Sequence, residues 1–559
     1  MPEKVFVIGL DGATFDLLKP WIEEGKLPNL ARLLQKGAWG NLESTVPYNS
    51  PVAWSSFITG KNPGKHGIFN FGYYENDSYD TKLVHSLTRK GKSFWTILGE
   101  YGKKVGIINV PVTYPPEEVN GFLISGLMAP EVNEKICFPR GLYRELMSKL
   151  GSLSIKVYPR DFIRRNRFDQ FFDKIMTVID QRYAVVNYLI QNKPWDFFCV
   201  VFSTTDHVQH YFWRHMDPDH PLHQPSVSLK YKSCILRVHQ KIDTIIGDLI
   251  GKLGANTTVI IMSDHGMGAN GDKAVFLNNW LAQEGLLYYG DSTHRRFNLK
   301  KKLVLLGKKY LPRKYKGKLR QVSWLSARTH SIYRDMNMDW ERTRAFSDDN
   351  RGTIWINLKG RHPGGIVEPG SEYENLRDFI IQRLRDFTDP ENGERVFQHV
   401  LKREDIYWGE LVANAPDIIL HQGNRKYAYI HQSSTAASHT LLFKKLSQEE
   451  MKENAVRDAD HRQEGILILN GPYIKKGYQI TDAKIMDLAP TILYLMGVPI
   501  PKDIDGRCID DGIEEYFLSE HPFQYAEPDA AIAEKGASSY TKQEAEEVKK
   551  SLRGLGYLE

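Results

Sequence analysis

The sequence predicts an α/β protein built on a doubly wound, mostly parallel sheet. Two observations carry that prediction. Apolar runs rich in β-branched residues, such as KVFVIGL at 4–10, FFCVVF at 197–202 and TTVIIM before Ser263, end abruptly in polar or acidic residues. Buried parallel strands do this where they reach the edge of an open sheet that receives ligands. Between these runs lie long stretches of helical apolar periodicity, notably 160–193 and 228–253, so strand and helix alternate along the chain.

A chain of 559 residues exceeds one ordinary core. The expected organisation is a first part of an α/β core over 1–275, an inserted cap region over 276–400, a second part of the core over 401–518 and a polar C-terminal tail over 519–559. No apolar run reaches the length of a membrane span, and MPEKVFVIGLDG opens directly into a strand without a signal-peptide pattern, so a cytoplasmic location is expected. Four scattered cysteines give neither a disulfide framework nor a thiolate zinc site. A net charge of +6 is modest for this length and does not point to nucleic acid. Its distribution is uneven, because HRRFNLKKKLVLLGKKYLPRKYKGKLRQ at 294–321 contains no acid. This segment is either a solvated insertion or a positive field for an anionic substrate or membrane surface.

Taken in order, the first strand delivers Asp11-Gly12 at its carboxyl end, and LPNLARLLQKGAWG follows as a short amphipathic helix. Next comes TVPYNSPVAWSSFITGKNPGKHGI, Thr45 to Ile68. Pro51 suits the first turn of a helix, which places Ser50 at the N-cap, facing the unpaired N–H groups and the positive end of the dipole. Ser50 is there as a cap or as a nucleophile whose alkoxide that environment stabilises. Strands are expected within 103–112 and 121–127. After FFCVVF, Asp206 and His210 fall four residues apart, on one face of a helix. A single helix over 228–253 leads to the strand that ends in Asp264-His265-Gly266. The pattern weakens from Phe276 to Asp339 and resumes with AFSDDNRGTIWINLKG, a helix at YENLRDFIIQRLRDF and a strand over 416–422. A polar loop then delivers His461 just before GILILNG, Asp487 caps a helix at ILYLMG, and YTKQEAEEVKKSLRGLGYL is a final helix that docks on the body.

Asp11, Asp206, His210, Asp264, His265 and His461, with the Ser50 hydroxyl, make a mixed set of carboxylate and imidazole donors. Such a set suits Zn2+, and less strongly Mn2+, better than an all-oxygen Ca2+ site. Six ligands and a shared hydroxyl match a two-metal site, with ions about 3.5–4 Å apart serving phosphoryl transfer through a phosphoserine.

These segments together resemble the alkaline phosphatase superfamily and, within it, the type I phosphodiesterase and nucleotide pyrophosphatase group. The resemblance rests on GLDG at 9–12, LPNLARLLQKG at 27–37, TGKNPGKHGI at 59–68, DHVQH at 206–210, SDHGM at 263–267 and HRQEGIL at 461–467. It implies a three-layer sandwich with a central, mostly parallel sheet flanked by helices, plus an inserted cap. It also implies Ser50, nine positions before Thr59, as nucleophile. One metal is then held by Asp206, His210 and His461, and the other by Asp11, Ser50, Asp264 and His265. Zinc is the implied ion and a small phosphorylated molecule the implied substrate. Asn70 is the nearest match to a phosphate-contacting Asn, offset by one position. SPVAW stands where nucleotide pyrophosphatases usually show TFPNH. The expected activity is hydrolysis of a phosphodiester or nucleotide pyrophosphate. The alternatives are a phosphomonoesterase, mutase or phosphotransferase of the same superfamily, or a non-catalytic metal- or phosphate-binding protein. A sulfatase would need Cys or Ser followed by x-Pro-x-Arg, which Ser50-Pro51-Val52-Ala53 does not supply.

Overall fold

A computed structural model describes residues 4–75, 77–153, 157–289, 338–347, 352–421, 427–428, 441–453, 457–528 and 540–557. The basic stretch 294–321 lies outside these residues. At the centre is a ten-stranded sheet. Strand Lys4–Leu10 runs parallel to Phe197–Phe202 on one side and to Thr257–Met262 on the other. Val105–Ile108 and Gly121–Ile124 extend the parallel part beyond Phe197–Phe202. Glu464–Asn470 joins antiparallel to Thr257–Met262, and Ala38–Glu43 pairs antiparallel with it in turn.

Side chains along the first strand alternate between two cores. Val5 and Val7 pack into one, while Phe6, Ile8 and Leu10 pack into the other. The two-residue period of a strand demands this split, and because both sets are apolar, both faces must be covered. Helices Phe168–Asn192, Thr204–Met216 and Cys234–Gly251 cover one face. Helices Ser50–Thr59, Phe94–Glu100 and Leu488–Leu495 cover the other. The expected three-layer sandwich is therefore the observed one.

Trp54 explains how tightly the Ser50–Thr59 helix sits on the sheet. A Cβ at Gly9 would lie 2.6 Å from its ring, so the glycine in the first strand makes room for the indole. Every residue of this helix is buried. Val52, Ala53 and Trp54, the part of the stretch that departs from TFPNH, are spent on packing.

A further core, built from Val275–Leu287 and residues 345–420, gathers around a four-stranded sheet. That sheet takes strand Ile418–His421 between Thr353–Ile356 and His399–Lys402, and helix Ser371–Arg385 packs on it. Helix Lys542–Leu555 closes the described chain with a Thr541/Glu544 capping box. It docks Val548 and Leu552 among Val52, Ile68, Phe71 and Met128. Among the described residues, no helix is long and apolar enough to cross a membrane.

Two local expectations are corrected and a third is refined. Asn49, not Ser50, is the N-cap of the Ser50–Thr59 helix, and its side chain accepts from Val52 N at 3.2 Å. Asn is as good a cap as Ser, and accepting it moves Ser50 to the first helical position. The helix expected over 228–253 is two helices, Pro225–Tyr231 and Cys234–Gly251. Asp487 holds the N-cap position of helix Leu488–Leu495, as expected, but makes no side-chain bond to it. Its carboxylate instead accepts from Lys484 N and Arg507 N, both at 2.8 Å.

Candidate active site

Strand ends and one helix assemble the candidate side chains. Asp11 follows Lys4–Leu10, and Asp264 and His265 follow Thr257–Met262, so neighbouring parallel strands deliver three donors to one edge. Asp206 and His210 lie on successive turns of Thr204–Met216. His461 arrives on Ala459–Arg462, which pairs antiparallel with Gly266–Ala269 in a register that sets His461 opposite Met267. Two buried clusters result, Asp206 with His210 and His461, and Asp11 with Asp264 and His265. Within each, donor atoms lie within 4.8 Å of one another. The rings of His265 and His461 stack at 3.7 Å between centroids, so the clusters are neighbours.

Backbone carbonyls fix the imidazole tautomers. Nδ1 of His210 donates to Ala459 O at 2.6 Å, Nδ1 of His461 to Tyr48 O at 3.1 Å, and Nδ1 of His265 to Gly266 O at 3.0 Å. Each ring therefore turns an unprotonated Nε2 toward the site. Those nitrogens face carboxylate oxygens. His210 Nε2 lies 3.0 Å and His461 Nε2 3.4 Å from Asp206 Oδ1, and the two Nε2 atoms are 3.2 Å apart. In the second cluster His265 Nε2 is 3.5 Å from Asp11 Oδ1 and 3.4 Å from Asp264 Oδ2. Asp11 Oδ1, Asp206 Oδ1, both Asp264 oxygens, His265 Nε2 and the Ser50 hydroxyl are buried without a hydrogen-bond partner.

Buried acceptors crowded together without donors are costly unless a cation joins them. Ligands about 2.0–2.1 Å from one tetrahedral ion lie about 3.3–3.4 Å from each other, close to the separations seen here. The donor set thus fits a divalent metal in both clusters. Charge agrees with geometry. Burial, reinforced by Asp264 and Asp206, pushes the Asp11 carboxyl well above the usual carboxylate range. Burial also raises Asp264, with His265 opposing. Burial acts to raise Asp206 too, but His210 and His461, when their rings are protonated, outweigh it and hold that group well below its ordinary value. Burial lowers His265 to about 4 and lowers His461, which keeps both rings neutral as ligands require.

Several contacts brace this arrangement. Thr205 Oγ1 donates to Asp11 O at 2.6 Å and Gln209 Nε2 to Gly12 O at 2.9 Å, tying the helix to the loop after the first strand. Gly12 has φ +70°, and a Cβ there would lie 3.4 Å from Asp206 Cα. The left-handed turn calls for glycine. Arg214, one turn beyond His210, donates through Nε to Asp458 at 2.6 Å inside the protein, which joins the helix carrying Asp206 and His210 to the residue just before the strand of His461. His66 of the TGKNPGKHGI stretch takes no part in either cluster. Its Nδ1 accepts from Ile68 N at 3.1 Å and its Nε2 meets Ser56 Oγ at 2.9 Å, which pins the loop to the Ser50–Thr59 helix.

Ser50 lies two residues beyond Tyr48, whose carbonyl receives the His461 proton. Asn70 is half-buried, and its side-chain oxygen accepts from Phe71 N at 2.9 Å. Sequence reasoning missed the Arg214–Asp458 pair, Arg182 and Tyr557. Arg182 is buried on the apolar face of Phe168–Asn192 and acts on the Asp11 charge. An arginine in that stripe was a readable signal.

A helix-flanked sheet with two such clusters at its edge defines an alkaline-phosphatase-like fold with a candidate two-ion centre. The chain belongs to the type I phosphodiesterase / nucleotide pyrophosphatase family, whose model matches residues 5–454. Among solved structures it is similar to phosphonoacetate hydrolase from Sinorhizobium meliloti 1021 in complex with phosphonoacetate, at 15% identity and TM-score 0.51, covering 87% of this chain and 94% of that one. It is also similar to murine ectonucleotide pyrophosphatase/phosphodiesterase 5 in complex with AMP, at 15% identity and TM-score 0.46, covering 89% of this chain and 95% of that one. No curated protein matches the sequence.

Proposed function

We propose that the protein is a metal-dependent phosphohydrolase that cleaves a phosphodiester or nucleotide pyrophosphate, with Ser50 as nucleophile. The observation that carries this reading is the pair of adjacent buried clusters whose converging donor atoms include several with no hydrogen-bond partner. Asp206, His210 and His461 would hold one divalent ion, and Asp11, Asp264 and His265 the other, with the Ser50 hydroxyl completing the donor set. The mixed imidazole and carboxylate donors favour zinc. Bound there, such ions supply Lewis-acid neutralisation of phosphoryl oxygens and a positive field that favours the Ser50 alkoxide.

The chain's own residues do the rest. Ser50, at the first position of its helix, presents Oγ at the positive end of the dipole. Attack by Oγ forms a Ser50 O–P bond as the serine proton passes to solvent, and the bond to the leaving oxygen breaks, that oxygen keeping the electron pair and taking up a proton from water where its basicity requires one. Water then attacks the phosphoserine, which releases the phosphoryl product and restores the hydroxyl. We also assign the Asn70 side chain a contact to a phosphoryl oxygen, a reading supported by its place shortly after the TGKNPGKHGI stretch. Family membership supports the diester or pyrophosphate bond as the target.

The test compares bis-p-nitrophenyl phosphate, p-nitrophenyl phosphate and p-nitrophenyl sulfate, with and without chelator. Diester turnover that chelator abolishes, and that falls about 10³-fold or more in Ser50→Ala, is expected. Full activity in Ser50→Ala would refute the mechanism.

A further inference from the structure

Tyr557 stands outside the family-matched span 5–454, yet its hydroxyl donates to Asp206 Oδ2 at 3.2 Å. The two oxygens of Asp206 are thereby divided. Oδ1 faces His210 Nε2 and His461 Nε2, and Oδ2 faces the phenol. A carboxylate held at one oxygen presents the other in a fixed direction, as outer hydrogen bonds do for metal ligands generally.

The ring that carries this hydroxyl is itself fixed on several sides. It stacks on Phe71 at 4.7 Å between centroids, and the Arg457 guanidinium lies 4.2 Å over it. The backbone just before it is tied down as well, since Leu555 O accepts from Tyr211 Oη and from Arg457 Nη2, both at 3.2 Å. Arg457 also leads into Ala459–Arg462, the strand of His461, and Tyr211 follows His210. The end of helix Lys542–Leu555 thus grips both elements that carry the first cluster. None of these contacts reaches the donor atoms of Asp264 or His265.

We propose that Tyr557 is a positioning residue for the ion held by Asp206, His210 and His461, so that the C-terminal helix completes one half of the two-ion centre and not the other. The inference rests on the proposed metal sites.

Tyr557→Phe is the informative variant. Phenylalanine keeps the stacking on Phe71 and the cation contact with Arg457 but removes the donor. A smaller residue would be ambiguous, because Tyr557 and Asp206 border a cavity of about 30 Å³, and water could take the place of the hydroxyl. Wild type and Tyr557→Phe are stripped of metal and titrated with Co2+, following visible absorption and chelator competition, and the unfolding midpoint of each metal-free protein is recorded. The expected result is two ions in wild type and, in the variant, about 10-fold or greater weakening of one ion with the other unchanged and the metal-free midpoint preserved. Excess Zn2+ should then restore diester turnover. Equal affinities for both ions in the two proteins would overturn the inference while leaving the metal sites standing. Equal weakening of both ions with a lowered midpoint would overturn it too, since that reports general loosening. A wild-type protein that binds no divalent ion would overturn the metal reading and this inference together.

Discussion

The two clusters at the sheet edge are built in opposite ways. Asp11, Asp264 and His265 come from adjacent parallel strands whose register alone brings them together. They comprise two carboxylates and one imidazole, and burial of like charge pushes both acids upward. Asp206, His210 and His461 come from a helix and a distant antiparallel strand, and comprise one carboxylate and two imidazoles. The first cluster is held by the sheet and strained by charge. The second is relaxed in charge and depends on braces that the sheet does not provide. If the two clusters hold the two ions of the proposed site, both must be in place for phosphoryl transfer, and weaknesses of different origin would converge on one activity.

The sharpest way to break the comparison is to relieve the charge in the first cluster. Asp11→Asn removes one of three neighbouring buried carboxylates. Diester turnover should fall by about 10³-fold or more, because a ligand is lost. The metal-free protein should nevertheless unfold at a higher temperature, because the cost of burying an acid is removed and like-charge repulsion with Asp264 and Asp206 is reduced. In the second cluster Asp206→Asn should cost activity without that gain, since Asp206 is held by His210 and His461. Thermal unfolding of the stripped proteins checks both, and a gain for Asp206→Asn as large as that for Asp11→Asn would erase the distinction.

The brace is the next target. Arg214→Met leaves the Asp458 carboxylate buried and without its guanidinium partner, a loss of about 3–5 kcal/mol. Removing both members with Arg214→Met and Asp458→Leu should recover much of that stability. Metal retention at the His210/His461 cluster should stay poor in both variants, because the helix and strand are no longer tied. Urea unfolding and metal content after dialysis separate the two effects.

What could be read from the sequence follows the same division. Asp11, Asp264 and His265 were legible because each ends an apolar strand run, and a parallel sheet puts strand ends together. Asp206 and His210 were legible because a spacing of four defines one helix face. His461 was legible as an imidazole delivered just before the apolar run GILILNG, but its grouping with Asp206 and His210 needed the resemblance, since nothing local says which cluster a distant histidine joins. The braces were not legible at all. Arg214 and Asp458 are 244 residues apart, and Asp206 and Tyr557 are 351 apart. Such pairs carry no periodicity, and only the fold makes them neighbours. The Ser50 helix shows a finer limit. Asn49 and Ser50 are equally good caps, and the choice between them depends on backbone angles that composition does not encode.

The smallest expected effect tests whether the scaffold can be separated from the clusters. His66 holds the loop against the Ser50–Thr59 helix, and burial lowers it to about 3. An unfolded histidine titrates near 6.5. Between those values the unfolded chain binds one more proton than the folded one, so stability is present above pH 6.5 and is lost as pH falls toward 3. One such group contributes about 1.4 kcal/mol per pH unit, or about 2 kcal/mol between pH 6.5 and 5. His66→Gln should flatten the pH dependence of urea unfolding by that amount, and by the same amount in metal-loaded and metal-free protein. His265 is lowered to about 4 by burial as well, but it sits among the metal donors, so the pH dependence it adds should change when metal is removed. A His66→Gln effect that differs between loaded and stripped protein would mean that the loop and the ion centre are one cooperative unit.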